Sequence, residues 1–368
     1  SVRVLVTGSN GFIGKNLIVH LDEIETYEIL TFSRDNSIEE LSGLVKQADT
    51  VIHLAGENRP TDNSAFKAAN EGLTQLLCDE IQATNRHVPL IFVSSTQAGN
   101  GTLYGESKRS AELAVERLEL ETGNPIFIYR LPGVFGKWCK PNYNSVVATF
   151  CYNMANGLPI QINDNSKELV LVYIDDVVKE FMDVIQYQDK KKNLKVHPEY
   201  KIKLGELASQ IESFSNCRTS LVVERVGNGL IHALYSTYIS YLSPEKFSYL
   251  LPTFKDDRGI FSEMLKTKDS GQFSIFTAYP GVTRGGHYHH SKSEKFLVVK
   301  GVARFRFRHI ISKDTFEIIT NGDDLSVVDT VPGWIHDITN IGDSELTVML
   351  WANEIFNRNS SDTITCEI

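Results

Sequence analysis

The sequence predicts an α/β doubly wound parallel sheet followed by an antiparallel, all-β sandwich or barrel. Three observations predict it. Apolar strand-like runs alternate with helical patterns through Tyr241. A glycine-spaced turn joins the first strand to the first helix. After Pro252, short strands punctuated by Gly271, Gly281, Gly301, Gly322, Gly333 and Gly342 replace helical periodicity.

At 368 residues the chain exceeds one ordinary hydrophobic core, so two domains are expected, divided at Ser243-Pro244 into 1–243 and 244–368. A formal net charge of -9 without a long basic run argues against nucleic acid as a partner. An anionic substrate would need a local basic site. The five cysteines (Cys78, Cys139, Cys151, Cys217, Cys366) are scattered without a CxxC pair, so neither a disulfide framework nor a thiolate zinc site is indicated. No apolar run approaches the ~18 residues of a membrane span, and no signal-peptide pattern precedes the first strand. The expectation is a reduced, cytoplasmic protein that avoids the membrane.

The first strand is Val2 to Val6. Thr7 leads into Gly8-Ser9-Asn10-Gly11-Phe12-Ile13-Gly14, and a helical pattern follows from Lys15 to Leu21. Glycines where a strand meets a helix allow a tight turn and bring the backbone close to a pyrophosphate at the helix N-terminus. The second strand, Tyr27 to Phe32, ends in Ser33-Arg34, where an acidic residue would hold a free ribose 2′-hydroxyl. Ser33 and Arg34 favour a 2′-phosphate and so NADPH over NADH, although Asp35 follows and can pair with Arg34. Asp49 to Gly56 is the next buried strand. Asn70 to Cys78 reads as a helix, Leu90 to Val93 and Ile126 to Arg130 as strands, and residues 186–206, with Lys190-Lys191-Lys192, as a solvated connection.

The chemistry centres on Ser94-Ser95-Thr96 and Tyr104-Gly105-Glu106-Ser107-Lys108, which lie between a strand and a helical run. Tyr104 and Lys108, one turn apart, share a helix face. The ammonium is expected to lower the phenol pKa from ~10 toward working pH, making Tyr104 a proton donor. A hydroxyl from the strand end, Thr96, would bond the same substrate oxygen. Such a trio suits hydride addition to a ketone.

With Arg130-Leu131-Pro132-Gly133-Val134-Phe135-Gly136 and Val172-Tyr173-Ile174-Asp175-Asp176-Val177, these motifs stand in the order found in the extended short-chain dehydrogenase/reductases, which residues 2–240 resemble. The resemblance implies a Rossmann-type domain acting on a nucleotide-linked sugar. It implies that Gly8, Gly11 and Gly14 cradle the pyrophosphate, with Asn10, Phe12 and Ile13 between them, that Leu54 and Ala55 border the cofactor, and that Asp49 lies near the adenine. Thr96 would orient the carbonyl, Tyr104 protonate it, and Lys108 bind the nicotinamide ribose. The loop from Thr96 to Tyr104 is short for this branch. Glu168 and Val170 stand where relatives carry an arginine for the nucleotide phosphates, leaving Lys137, Lys140 or Lys167 as the cation.

In the second half, Gly281-(x)5-His287-Tyr288-His289-(x)4-Glu294-(x)6-Gly301 precedes Pro332-Gly333-Trp334-Ile335-His336-(x)3-Asn340. Histidines two apart on a strand point the same way, and a nearby carboxylate completes a ligand face. Three His and one Glu suit zinc, manganese, iron or nickel, with zinc favoured. His290 is a rival ligand if the strand is bulged.

These segments resemble the two motifs of the cupins, implying a jelly-roll barrel, although Val331 and Leu325 depart from the second motif. Asp256 to Glu263 and Arg284-Gly285-Gly286-His287 further resemble 4-keto-6-deoxysugar epimerases of the RmlC type, in which the equivalent histidine is a base. His287 as ligand is favoured over His287 as base. Fusion of the two domains resembles the CapF-type bifunctional enzymes of capsular polysaccharide biosynthesis. That resemblance implies C3 epimerisation of a UDP-2-acetamido-2,6-dideoxy-4-hexulose followed by NADPH-dependent reduction at C4, in a homodimer or higher homo-oligomer. His290, Lys292 and Asp337 are the remaining candidates for the C3 base. Two alternatives are a reductase whose cupin is only a metal-stapled module, and a non-catalytic sensor of NADPH and sugar nucleotide.

Overall fold

The structure, a computed structural model, describes residues 1–56, 72–188, 194–359 and 361–368. Asn70 and the Lys190-Lys191-Lys192 run lie outside the described residues. The chain divides into two compact units, 1–211 with 232–242, and 212–231 with 243–368.

The first unit runs β1 (Val2–Thr7), α1 (Phe12–Asp22), β2 (Tyr27–Phe32), α2 (Glu40–Gln47), β3 (Thr50–His53), α3 (Leu73–Ala83), β4 (Leu90–Ser95), α4 (Leu103–Thr122), β5 (Ile126–Leu131), β6 (Gly133–Phe135), α5 (Val146–Ala155), β7 (Glu168–Tyr173), α6 (Ile174–Tyr187), β8 (Tyr200–Lys203) and the start of α7 (Leu204–Ser220), with α8 (Gly229–Ser240) entering near its end. Strands β2-β1-β3-β4-β5 form one parallel sheet. Both faces are covered, which is why its strands are apolar without alternation. Val4 and Val6 enter a core with Leu17 and Leu21 of α1 and Val177 and Phe181 of α6. Leu5, between them, enters the opposite core with Leu41, Leu77 and Val115 of α2, α3 and α4. The order reverses between β1 and β3, so the turn after β1 opens at a topological switch point, where such sheets bind ligands.

A second sheet has the order β6-β7-β8. β8 falls within the stretch expected to be a solvated connection. It forms because Tyr200 and Ile202 pair with Leu171 and Leu169 of β7, alternating with exposed Lys201 and Lys203.

Among the described residues, the second unit is antiparallel but for one pairing. After α7 comes β9 (Val222–Val223), and then β10 (Phe254–Asp256), β11 (Gly259–Thr267), β12 (Gln272–Ala278), β13 (Thr283–Tyr288), β14 (Glu294–Lys300), β15 (Val302–His309), β16 (Thr315–Asn321), β17 (Val327–Thr330), β18 (Trp334–Asn340), β19 (Leu346–Ala352) and β20 (Ile364–Thr365). One sheet is ordered β10-β11-β12-β19-β14-β17, with β9 parallel to β11; the other is β16-β15-β18-β13-β20. Phe276, Phe296 and Val298 of the first sheet pack with Phe305, Phe307 and Ile338 of the second, giving the core of a sandwich. The expected fold class, a Rossmann-type parallel sheet followed by an antiparallel β domain, is what the chain adopts. No helix among the described residues is long and apolar enough to cross a membrane.

Candidate active sites

The first site forms at the C-terminal ends of β1, β3 and β4. Thr102 caps α4 by accepting from the Gly105 N–H at 3.0 Å, which places Tyr104 in the first turn and Lys108 one turn further in. Lys108 is 5% exposed; its Nζ donates to the Val93 carbonyl at 3.3 Å and lies 5.9 Å from the Tyr104 ring centroid. Burial pulls its pKa down to about 8, against the raising influence of Glu112. Burial also raises the Tyr104 pKa, and a hydrogen bond with Ser95 only partly offsets it. This corrects the expectation of a phenol acidified by Lys108: desolvation of the ring outweighs a cation whose proton is directed at Val93. Thr96 is exposed just beyond β4, its N–H bonded to the Leu131 carbonyl at 3.1 Å.

Ser95 is thus a partner of Tyr104 that the sequence reading passed over for Thr96. Glu112 was also missed. It is 1% exposed and accepts from Ser94 Oγ, from Arg130 Nε at 2.9 Å and from Arg109 at 3.0 Å. Burial raises its pKa, but Arg130, Ser94 and Arg109 together bring it below the ordinary carboxylate value. The network ties α4 to the ends of β4 and β5. An acidic residue one turn after the lysine of a Tyr-x-x-x-Lys pair was the available signal.

The glycine loop fits a dinucleotide. Gly8 has φ +66°, and a Cβ there would stand 2.8 Å from Ala55 N; a Cβ on Gly14 would stand 2.5 Å from the Gly8 carbonyl oxygen. Gly11 caps α1, and Phe12 and Ile13 pack on the core beneath. Asn10 donates to Asp35 at 3.3 Å, and Ser33 Oγ accepts from the Asp35 N–H. Arg34 is exposed at the end of β2. Leu54 and Ala55 present their N–H groups to Thr7 Oγ1 at 3.1 and 3.4 Å. The hydroxyl proton is therefore left for His53 Nδ1, 2.6 Å away, while His53 Nε2 meets Thr74 Oγ1 at 2.8 Å. Burial, then Lys108, pushes the His53 pKa down to about 3, so this clamp is neutral.

Asp49 is not brought to that loop. It precedes β3, and its Oδ2 accepts from the Arg3 N–H at 2.8 Å while its own N–H donates to the Arg3 carbonyl. The four residues of β3 separate it from Leu54, roughly 16 Å at strand rise. Asp49 is a clamp on the start of β1. Of the candidate cations, Lys137 pairs with Asp175 at 3.4 Å and lies over Trp138, whereas Lys140 lies over Tyr143 and Lys167 is exposed.

The second site lies between the two sheets of the antiparallel unit. His287, His289, Glu294 and His336 each offer a ligand atom, and these atoms lie within 4.8 Å of one another. A bulge at Gly285/His287 sets His287 opposite His336 in the β13–β18 pairing. Glu294 begins β14 in the opposite sheet and donates its N–H to Thr330 Oγ1 at 3.1 Å. His289 Nε2 is 2.9 Å from Glu294 Oε1, and His336 Nε2 is 3.4 Å from the same oxygen. Neither ring nitrogen of His336, a buried residue, has a properly aligned hydrogen-bond partner. Nitrogen lone pairs, a carboxylate and an orphaned imidazole converging on one point fit a divalent cation.

His290 stays outside this group: it is exposed, its ring meets Tyr288 edge-on, and its N–H donates to Asp362. Asp337, a candidate base, is buried and forked by Arg306 Nε and NH2. Asp362 was not anticipated, since a lone Asp in a polar C-terminal stretch signals only a turn.

Residues 4–197 match the NAD dependent epimerase/dehydratase family, and residues 254–364 match the polysaccharide biosynthesis C-terminal domain. The chain is 53% identical, over 100% of its own length and 99% of the relative's, to the UDP-2-acetamido-2,6-beta-L-arabino-hexul-4-ose reductase of Pseudomonas aeruginosa. The crystal structure of the capsular polysaccharide assembling protein CapF from Staphylococcus aureus matches with a TM-score of 0.92 at 40% identity, covering 99% of this chain and 100% of that one. UDP-glucuronic acid 4-epimerase from Bacillus cereus, at 18% identity and a TM-score of 0.55 over 65% of this chain, shares the fold. Matched end to end at such identity, the chain belongs to the family of the Pseudomonas reductase and CapF, in which an NAD dependent epimerase/dehydratase domain precedes a polysaccharide biosynthesis C-terminal domain.

Proposed function

We propose that this chain is a UDP-4-ketosugar reductase of capsular polysaccharide biosynthesis, with residues 1–243 reducing and residues 244–368 epimerising. The substrate is a UDP-2-acetamido-2,6-dideoxy-4-hexulose, inverted at C3 and then reduced at C4. The observation that carries the reading is the end-to-end likeness to the hexul-4-ose reductase, in a chain that sets Lys108 Nζ over the Tyr104 ring.

At the first site, the nicotinamide of NADPH supplies the hydride when bound. Tyr104 gives its phenolic proton to the C4 oxygen, and its raised pKa keeps that proton in place at neutral pH. Ser95 aims the phenol, Thr96 stands exposed to orient the carbonyl, and Lys108 offers its ammonium to the ribose and the departing charge. The neutral His53 clamp holds Leu54 and Ala55 against Gly8, where the pyrophosphate passes. Arg34 takes the 2′-phosphate that selects NADPH.

At the second site, His287, His289, Glu294 and His336 would hold a zinc ion, which would supply positive charge among largely buried side chains. Removal of the C3 proton is feasible only while the C4 ketone can spread the charge into an enolate, so epimerisation precedes reduction. Reduction then draws the epimerisation forward. A second reading is favoured by one observation: His287 and His336 lie on strands of one sheet and Glu294 on a strand of the other, so the ion would also staple the two sheets together. The buried, unpaired thiols of Cys78, Cys139 and Cys151 accord with a cytoplasmic protein, and a homodimer is the assembly inferred from kinship.

The deciding experiment follows NADPH consumption on the UDP-4-ketosugar in deuterated water, with mass analysis of the product. NADPH loss with deuterium at C3 supports both activities, and Tyr104→Phe should then stop oxidation while sparing exchange. NADPH loss without deuterium reduces the second site to a staple. No NADPH loss overturns the reductase reading in favour of a sensor.

A further inference from the structure

The C-terminal segment supplies the contacts immediately behind the metal-ligand cluster. The Asp362 carboxylate accepts three successive backbone N–H groups: His290 to Oδ1 at 2.9 Å, and Ser291 and Lys292 to Oδ2 at 2.7 and 2.9 Å. Ser291 Oγ adds a fourth bond at 3.2 Å. These residues form the loop that joins ligand His289 to ligand Glu294, a loop with little regular structure of its own.

The backbone of the same residue acts on His289 directly. The Asp362 carbonyl lies 2.6 Å from His289 Nδ1, and Thr363 Oγ1 lies 3.3 Å from that nitrogen. A carbonyl can only accept, so Nδ1 carries a proton, and in a ring that binds a metal Nε2 then turns its lone pair inward. That lone pair faces Glu294 Oε1 at 2.9 Å. In that form two acceptors face each other, an arrangement a cation between them relieves. Beyond Asp362, β20 pairs with His287 and Tyr288 of β13, and the Cys366 N–H donates to the Gly286 carbonyl at 2.8 Å. The segment is thereby anchored to the strand carrying His287.

We propose that Asp362 is the positioning residue that sets the metal affinity of this centre, its carboxylate fixing the loop between two ligands and its carbonyl holding His289 ready to bind through Nε2. This inference rests on the metal reading above. Outer contacts of this kind orient the ligating ring, and their loss typically weakens metal binding 10–100-fold.

The test uses the full chain, stripped of metal, with Asp362→Asn and Asp362→Ala beside the parent. Zinc affinity is measured by competition with a chromophoric chelator, and the visible spectrum is recorded on each cobalt(II)-loaded protein. Asp362→Ala should weaken zinc binding roughly 10–100-fold and alter the cobalt(II) ligand-field bands. Asp362→Asn, which keeps an acceptor without its charge, should fall between. Far-UV circular dichroism checks folding, and the milder Asn variant decides if the Ala variant fails to fold. Affinities within about twofold of the parent in the folded variants overturn the inference while leaving the metal reading intact; so does weaker binding with unaltered bands, which marks a general loss of stability. A parent chain that binds neither zinc nor cobalt(II) overturns both.

Discussion

Lys108 Nζ stands 5.9 Å from the centroid of the Tyr104 ring and spends a hydrogen bond on the Val93 carbonyl. The pair therefore divides its labour differently from a phenol acidified by an adjacent ammonium. Tyr104, with its pKa raised by burial, is protonated across the neutral range; Lys108, pulled down to about 8, is the group that changes charge near working pH.

A pH dependence follows. NADPH-dependent reduction should fall as pH rises through about 8, where the Lys108 ammonium loses its proton. Lys108→Arg should lower turnover yet remove this alkaline limb, because a guanidinium stays charged. Stability moves the opposite way. The folded pKa lies below the ordinary lysine value of 10.5, so the unfolded chain binds more protons between about 8 and 10.5, and the first unit should gain stability as pH rises through that window. Turnover profiles and denaturant unfolding across the same pH series check both signs.

Cofactor choice rests on the end of β2. Arg34→Glu should raise the KM for NADPH by about ten- to a hundredfold, the loss of charge-assisted bonds of roughly 1.5–3 kcal/mol, and should leave that for NADH much less affected. Steady-state kinetics with the two cofactors measures the ratio. An unchanged ratio would remove Arg34 from the 2′-phosphate site.

The parallel sheet, its switch-point loop and the four-residue cluster were legible because each is carried by local spacing. Gly8 to Gly14 sits between a strand and a helix, and His287 and His289 stand two apart where β13 ends. What escaped was long-range or set by burial. Asp49 was read through its motif, yet the sheet places it at the start of β3, against Arg3. The Tyr104 pKa depends on how deeply α4 packs, which no spacing reveals. Asp362 lies far from Glu294 in the chain and reaches the centre only because β20 folds onto β13. Glu112 shows its importance only when Ser94 and Arg130, from two different strands, converge on it.

Glu112 yields a stability prediction. Glu112→Ala removes the acceptor for a buried Ser94 hydroxyl and for two arginine side chains that are 36% and 49% exposed. Water can reach the arginines, so the cost is set mainly by Ser94 and the lost charge-assisted bonds, about 1–3 kcal/mol. Because the folded Glu112 pKa lies below the ordinary glutamate value of 4.5, its contribution is present above that pH and lost as pH falls further. Urea unfolding followed by a probe in the first unit should show the difference between parent and variant at pH 7 and a smaller one in acid.

Metal removal tests the second unit. Without a cation the buried His336 ring keeps two nitrogens lacking an aligned partner, and Glu294 faces His289 and His336 with no ion between them. A ligand that binds only the folded state adds about 2.7 kcal/mol at a free concentration of a hundred times its Kd. Chelation should therefore lower the melting transition of residues 243–368 by several degrees, and added zinc should restore it. His336→Ala should melt at the same temperature with or without zinc, having lost both the orphaned ring and a ligand. The transition of the first unit, followed through NADPH protection, should stay where it is in both cases. Calorimetry of the parent and of His336→Ala, each with chelator and with zinc, separates these expectations. A melting temperature of the parent that ignores zinc would mean that the cluster is held by the direct contact of His289 with Glu294 rather than by an ion.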